Sequence, residues 1–177
     1  MILSIVKADL SKKYIVKNLY PLYLHDMAEI WEMKPNIHGI FEEDDSQTLE
    51  DQFRHFDIWW SDENIFFPYL ICNEEVPIGF AFVAKTPYCP VESEICLHEF
   101  FLLRPYRGTG LGKVAAKMIF NRFPGRWSFY TNPSDRNFRT QEFWRSFLNS
   151  YVSKEYKETS ETTKSGSKVL AFRFEVI

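Results

Sequence analysis

The sequence predicts an α/β fold, a mixed, mostly antiparallel, twisted sheet flanked by helices on both faces. Three observations carry this. The hydrophobic period is helical through the first third of the chain and then switches to strand-like runs. "FFPYLIC" (66–72) and "PIGFAFVAK" (77–85) are separated by "NEEV", the mark of a hairpin and so of antiparallel pairing. The apolar run "EICLHEFFLL" (94–103) leads through a glycine-rich stretch into a helical pattern.

Taken in order, residues 2–6 read as a short strand. From Ser11 to Trp31 the pattern is helical, with Ile15, Leu19, Tyr23, Met27 and Ile30 or Trp31 along one face. Pro21 interrupts it and predicts a kink or two abutting helices. Residues 33–47 lose periodicity and read as a loop, followed by a shorter helix over 47–59. The run 94–103 is longer and more apolar than its neighbours, as a central strand would be. After it, Leu111, Val114, Ala115, Met118, Ile119 and Phe123 form one apolar helix face, closed by Pro124 and Gly125. "RWSFYT" follows as a strand and Arg139–Asn149 as a helix. "YVSKEYKET" and "KVLAFRFEV" form a last hairpin around a Ser/Thr/Gly-rich turn. There is no repeat or domain boundary, and residues 1–177 read as a single domain.

Bulk properties exclude several classes. A formal charge of -3 lacks the basic surface that nonspecific nucleic-acid binding needs. Cys72, Cys89 and Cys96 are an odd number without a CxxC pair, which favours reduced, packed thiols over a disulfide framework or a zinc site. The opening "MILSIVKADL" has too short an apolar run for a signal peptide or anchor. No apolar stretch approaches the ~20 residues that span a bilayer, so a cytoplasmic protein without membrane partners is expected.

The stretch "RPYRGTGLG" (104–112) carries the chemistry. A dinucleotide fingerprint needs GxGxxG, but Gly108, Gly110 and Gly112 give GxGxG. A P-loop needs its first glycine where Arg107 stands and a Ser or Thr where Val114 stands. What remains is Arg-x-x-Gly-x-Gly between a strand and an amphipathic helix. Such a turn captures anions: the first helical amides lack partners and point outward, and glycines leave them uncovered. Arg107 and Lys113 add full charges beside it.

With those residues in view, the chain resembles the GCN5-related N-acetyltransferase (GNAT) superfamily. Arg107, Gly108, Thr109, Gly110, Leu111, Gly112 and Lys113 are similar to its acetyl-CoA pyrophosphate loop. "VPIGFAFV", with Gly79, resembles the preceding hairpin strand, and "NFRTQEFWRSF" the following helix. Element order agrees over roughly residues 60–177, while the N-terminal third agrees only in being helical. The resemblance implies a sheet with a splayed centre and acetyl transfer from acetyl-CoA to a primary amine, small or peptidic. It further implies that Phe100, Phe101 and Leu102 offer free amides to the pantetheine arm. Asn137 matches a family asparagine near that arm, although asparagine at a helix start is also a good cap. A homodimer is an arrangement common in such families.

Attack on a thioester needs a neutral amine, and an alkylamine titrates near ~10.4, so a base must remove a proton. Glu99 is a carboxylate inside the apolar "LHEFFLL", at the strand position of the family's base, where desolvation would raise its pKa. The other reading pairs it with a basic residue or lets it reach solvent at a strand splay. Glu94 is the runner-up. Where many relatives carry a tyrosine that protonates the departing thiolate stands Trp144, which cannot act as an acid and is expected to pack on the cofactor or in the core. Solvent, Tyr130 or Tyr151 would serve instead. This departure leaves open a noncatalytic acetyl-CoA-binding regulatory module. His98 alternates to the face opposite Glu99, which excludes a dyad. His25 and His38 fall where the family builds its acceptor lid and read as surface residues. Tyr20, Tyr23, Trp31, Phe41, Trp59 and Trp60 suggest either core or a stacking pocket, and "EEDD" (42–45) either a solvated loop or an attractor of amines. No metal-ligating constellation is present.

Overall fold

A computed structural model describes residues 2–41, 45–153, 155–163 and 165–177. Seven strands form one sheet: β1 (Leu3–Lys7), β2 (Phe66–Asn73), β3 (Val76–Lys85), β4 (Ile95–Leu102), β5 (Gly125–Thr131), β6 (Lys157–Thr162) and β7 (Lys168–Val176), in spatial order β1-β2-β3-β4-β5-β7-β6. Every neighbouring pair is antiparallel except β4 and β5, which run parallel. The expected mixed, mostly antiparallel sheet is therefore found.

Helices cover both faces. On one, α1 (Lys13–Trp31), the short α2 (Leu49–Phe53) and a 3₁₀ stretch (Arg54–Trp60) pack Val16, Leu19, Tyr20, Leu24, Phe53 and Phe56 on Leu70, Phe80, Phe82 and Phe101. On the other, α3 (Leu111–Phe120) and α4 (Phe138–Tyr151) pack Ala115, Ile119, Phe120, Trp144 and Leu148 on Ile78, Val83, Leu97, Phe129 and Phe172. Cys72, Cys89 and Cys96 are free and buried. Among the described residues, no helix is long and apolar enough to cross a membrane.

Pro21 does not divide α1, which runs unbroken through it. A proline inside a helix costs about 3 kcal/mol. Val16, Leu19 and Leu24, all buried, each return about 1.5–3 kcal/mol, so burial outweighs the lost hydrogen bond. The helix expected over 47–59 is real but splits into α2 and the 3₁₀ stretch. Its start is fixed by a capping box: the Asp51 amide donates to Thr48 Oγ1 at 3.2 Å and the Thr48 amide to Asp51 Oδ2 at 3.0 Å.

The β3–β4 ladder carries two features that shape the site. Phe82 faces Glu99 while Val83 faces Leu97, so His98 is the extra residue of a bulge. Gly79 faces Leu102, and a Cβ on Gly79 would lie 2.0 Å from the Phe101 carbonyl oxygen. Backbone stands in the way there, and it has nowhere to move. Gly79→Ala is expected to cost more than about 3 kcal/mol of stability, seen as a lower urea midpoint at unchanged slope.

Candidate active site

The centre of the sheet opens because its one parallel ladder is short. β4 and β5 pair only at Ile95 with Trp127 and Cys96 with Ser128. Beyond that point the far end of β5 is tied to α4 instead. Asn137 Nδ2 donates to Asn132 O at 2.8 Å and to Thr131 Oγ1 at 2.6 Å, and Gln141 Nε2 donates to Asn132 O at 3.1 Å. Asn137 stands at the helix start, yet its side chain makes no cap hydrogen bond. On the other side of the gap, the Leu103 amide donates to Ile78 O on β3 at 2.8 Å. Backbone groups alternate along an antiparallel ladder, so Phe101 also faces β3 while Phe100 and Leu102 turn their amides towards the gap.

The glycine stretch follows directly on the end of β4, with Gly112 close to the Leu102 side chain. Gly108 and Gly110 have φ of 73° and 87°, and α3 begins on Gly110. The amides of Lys113 and Val114 turn back onto Gly110 O, leaving those of Leu111 and Gly112 at the first turn without an intrahelical partner. A Cβ on Gly108 or Gly110 would meet nothing within 4 Å, so the turn faces open space. Gly112 packs inward, where a Cβ would come within 3.2 Å of the Phe143 ring. Thr109 Oγ1 donates to Tyr106 O at 2.8 Å and Lys113 Nζ to Ser146 Oγ at 2.7 Å.

Arg107 is less available than its place in the motif suggests. Its Nε donates to Leu102 O at 2.7 Å and its Nη2 to Asp26 Oδ2 at 2.5 Å. Arg104 donates to Asp26 Oδ1 through Nη2 and Nε at 2.6 and 2.9 Å. Asp26, on α1 and 8% exposed, thus offsets one of the two charges beside the turn. Burial alone would raise its carboxyl pKa, but hydrogen bonds from Arg107 and Arg104 outweigh that and hold it below the usual carboxylate range. The guanidinium of Arg107 also lies over the Phe101 ring at 5.3 Å.

Between the splayed strands lies a cleft of about 460 Å³. Its walls are Tyr23, Leu24, Met27, Ile30, Trp31 and Met33 from α1 and the residues just after it, Leu97 to Phe100 from β4, and Phe129 to Asn132 from the end of β5. Asn137, Thr140 and Trp144 line it around the start of α4, and Thr163, Ser165 and Ser167 from the β6–β7 turn. Glu99 projects here and accepts a hydrogen bond from the Tyr23 hydroxyl. The Tyr23 ring is held by Tyr20, Phe80 and Phe101 at centroid distances of 5.3, 5.6 and 5.8 Å.

Several sequence expectations are corrected. The bulge breaks the alternation, so His98 and Glu99 line the same cleft; His98 contacts Trp59 edge-on and has Nε2 2.9 Å from Tyr88 O. Burial lowers the His98 pKa, against the opposing effect of that hydrogen bond. Glu94 is outside the cleft, bonded to the amide and Nε of Arg126 at 3.0 and 3.1 Å. Tyr151 is also outside: its hydroxyl donates to Asn121 at 2.7 Å, and burial pushes its pKa up to about 12. Tyr130 lines the cleft. Trp144 packs in the core, on Phe129 and Phe100 at 4.4 and 5.3 Å, and also lines the cleft. His25 and His38 are exposed and away from the lining. Of the N-terminal aromatics only Tyr23 and Trp31 reach the cleft, while Tyr20, Phe41, Trp59 and Trp60 pack in the core. Glu42, Glu43 and Asp44 of the acidic run lie outside the described residues.

Sequence reasoning missed Tyr23 as a partner of Glu99 and missed Asp26 altogether. The available signal for Asp26 was an acid between Leu24 and Met27 on the apolar side of a helix, which demands a cationic partner.

A splayed parallel pair, a glycine turn directly after β4 and a carboxylate in the cleft are the marks of an acetyltransferase fold, and the comparisons agree. The model of the acetyltransferase (GNAT) family matches residues 22–148, and the chain belongs to that family. No curated protein gives a significant sequence match. An acetyltransferase from Thermus thermophilus superposes with a TM-score of 0.69 at 15% identity, covering 99% of this chain and 98% of that one. A spermidine N-acetyltransferase chimera from Vibrio cholerae gives 0.61 at 7% identity, covering 98% and 95%. The ribosomal-protein-S18-alanine N-acetyltransferase of Escherichia coli gives 0.56 at 10%, covering 99% and 94%. At such identities the likeness is one of fold.

The Asp26 clamp makes stability depend on pH with a defined sign. A carboxyl with a depressed folded-state pKa contributes above its unfolded pKa, about 3.9, and stops contributing as pH falls through the folded value. Asp26→Asn is expected to cost about 1–2 kcal/mol at pH 7, moderated by solvent at both arginines. Urea melts of the two proteins should converge as the pH is taken well below 4.

Proposed function

We propose that this protein transfers an acetyl group from acetyl-CoA to a primary amine by direct attack within a ternary complex, as one domain over residues 1–177. The observation that carries the reading is the early end of the β4–β5 ladder. It leaves two β4 amides without a β5 partner, next to a cleft that has a carboxylate in its wall and just before an open glycine turn at the end of β4. The relatives named for their acceptors, spermidine and a ribosomal protein's alanine, are amine acetyltransferases, which supports an amine here as well.

The residues fit acetyl-CoA as co-substrate. The amides of Leu111 and Gly112 and the positive end of α3 receive the pyrophosphate, with Gly108, Thr109 and Gly110 forming the turn. Lys113 and the share of Arg107 charge left by Asp26 add attraction. Phe100 and Leu102 offer amides to the pantetheine arm and to the thioester carbonyl, where a donor stabilises developing negative charge. Phe101 supplies packing and not an amide, since its backbone faces β3. Asn137 keeps the gap open by holding β5, and Trp144 forms the floor under the acyl arm.

Glu99 takes the proton from the attacking amine, directly or through water. The new bond joins amine nitrogen to acetyl carbon, and the bond to sulfur breaks. The leaving thiolate needs little help because a thiol titrates near ~8.5, so solvent or Tyr130 suffices where Trp144 replaces the usual acid. Tyr23 holds the Glu99 carboxylate in place, acting through it.

The burial of Trp144 at the acid's position also favours a second reading, a module that binds acetyl-CoA without turnover. Thiol release from acetyl-CoA with pooled amines separates the two. Acceptor-dependent release that falls about 10²–10⁴-fold in Glu99→Gln is expected. Cofactor binding without release from any pool would favour the module, and full activity in the variant would remove Glu99 as base. Tyr23→Phe is expected to lower kcat about 10- to 100-fold with little change in the KM for acetyl-CoA, because it misplaces the base and leaves the loop intact.

A further inference from the structure

The apolar stripe of α1 continues for about two turns past the core it packs on. Val16, Leu19, Tyr20 and Leu24 are buried against the sheet, whereas Met27, Ile30 and Trp31 are only half-buried and line the cleft. An apolar helix face left open above a carboxylate is shaped for a ligand that is itself apolar at one end and cationic at the other.

We propose that this wall binds the acceptor, and that the acceptor is a small primary amine bearing one positive charge on an aromatic or apolar body. The proposal rests on the reading of the cleft as a transferase site and names its substrate class.

Among the described residues, charge counting favours a single cation over a polyamine. Each ammonium taken out of water needs its own partner. Among the described residues, Glu99 is the one carboxylate in the lining. The neighbouring acids of α1 are committed or remote: Asp26 to Arg104 and Arg107, Glu29 exposed and outside the lining, and Glu32, just past the helix, paired with Arg136 at 2.9 Å. On the opposite rim the described residues Thr163, Ser165 and Ser167 carry no charge. Size points the same way. A cleft of about 460 Å³ is near the lower part of the usual range for small ligands, and the acyl arm must occupy part of it. Trp31 offers the aromatic face on which such a body stacks.

The test is a binding titration, independent of turnover. Phenethylamine, spermidine and a tripeptide with a free N-terminus are titrated calorimetrically into the protein, alone and saturated with CoA. Phenethylamine is expected to bind at least about ten-fold more tightly than either competitor. Trp31→Ala should weaken it at least about five-fold while CoA affinity holds, and Trp31→Phe should restore most of the loss. Met27→Glu, which adds a second carboxylate to the wall, should shift preference towards spermidine. Tighter binding of spermidine or the tripeptide, no binding of phenethylamine, or indifference to Trp31→Ala would overturn the proposal. Failure of CoA to bind would instead overturn the transferase reading, and the titrations on the protein alone would still report on the wall.

Discussion

The cleft at the centre of this molecule depends on a pairing that stops. Parallel neighbours normally share a ladder along their length, and here β4 and β5 share two residue pairs. Buried backbone groups deprived of partners are costly, so the separation must be supported from both sides. Asn137 and Gln141 support β5 by bonding the Asn132 carbonyl. β3 supports β4 through the tight approach of Gly79 to Phe101 and the Leu103 amide bond to Ile78. The groups left over face one another across a cleft, and the sequence places its glycine turn immediately after it.

The two walls of that cleft are chemically unlike. On the α4 side, Trp144, Phe129 and Phe100 make a dense aromatic floor continuous with the larger core. A tyrosine there would have offered a hydroxyl; the indole offers surface and rigidity. On the α1 side, Tyr23 brings a hydroxyl to Glu99 and is itself fixed by three rings. The polar contact to the carboxylate thus comes from the helix that also forms the apolar wall.

What was legible in the sequence was what is local. The hairpin of β2 and β3 and the α3 face are written in spacing, and the glycine turn is written in residue type. The capping box at Thr48 was equally readable, since its partners are three residues apart. Contacts between distant segments were not. Tyr23 and Glu99 are separated by 76 positions, and Asp26 and Arg104 by 78. Alternation places His98 on the wrong face because it assumes an even ladder, and the bulge depends on how β3 pairs. Pro21 was overvalued because its cost is local while the burial that overrides it is tertiary.

The clamp at Asp26 joins parts of the protein to which the proposed reaction gives different molecules. One carboxylate on α1 holds both arginines that lead into the glycine turn, and one of those arginines also holds the end of β4. α1, the end of β4 and the glycine turn are therefore bolted to a single frame. In the proposed reaction, the relative placement of two reactants, the costliest thing for a bimolecular reaction to achieve in solution, would be settled when the chain folds and would not have to be found again at each encounter.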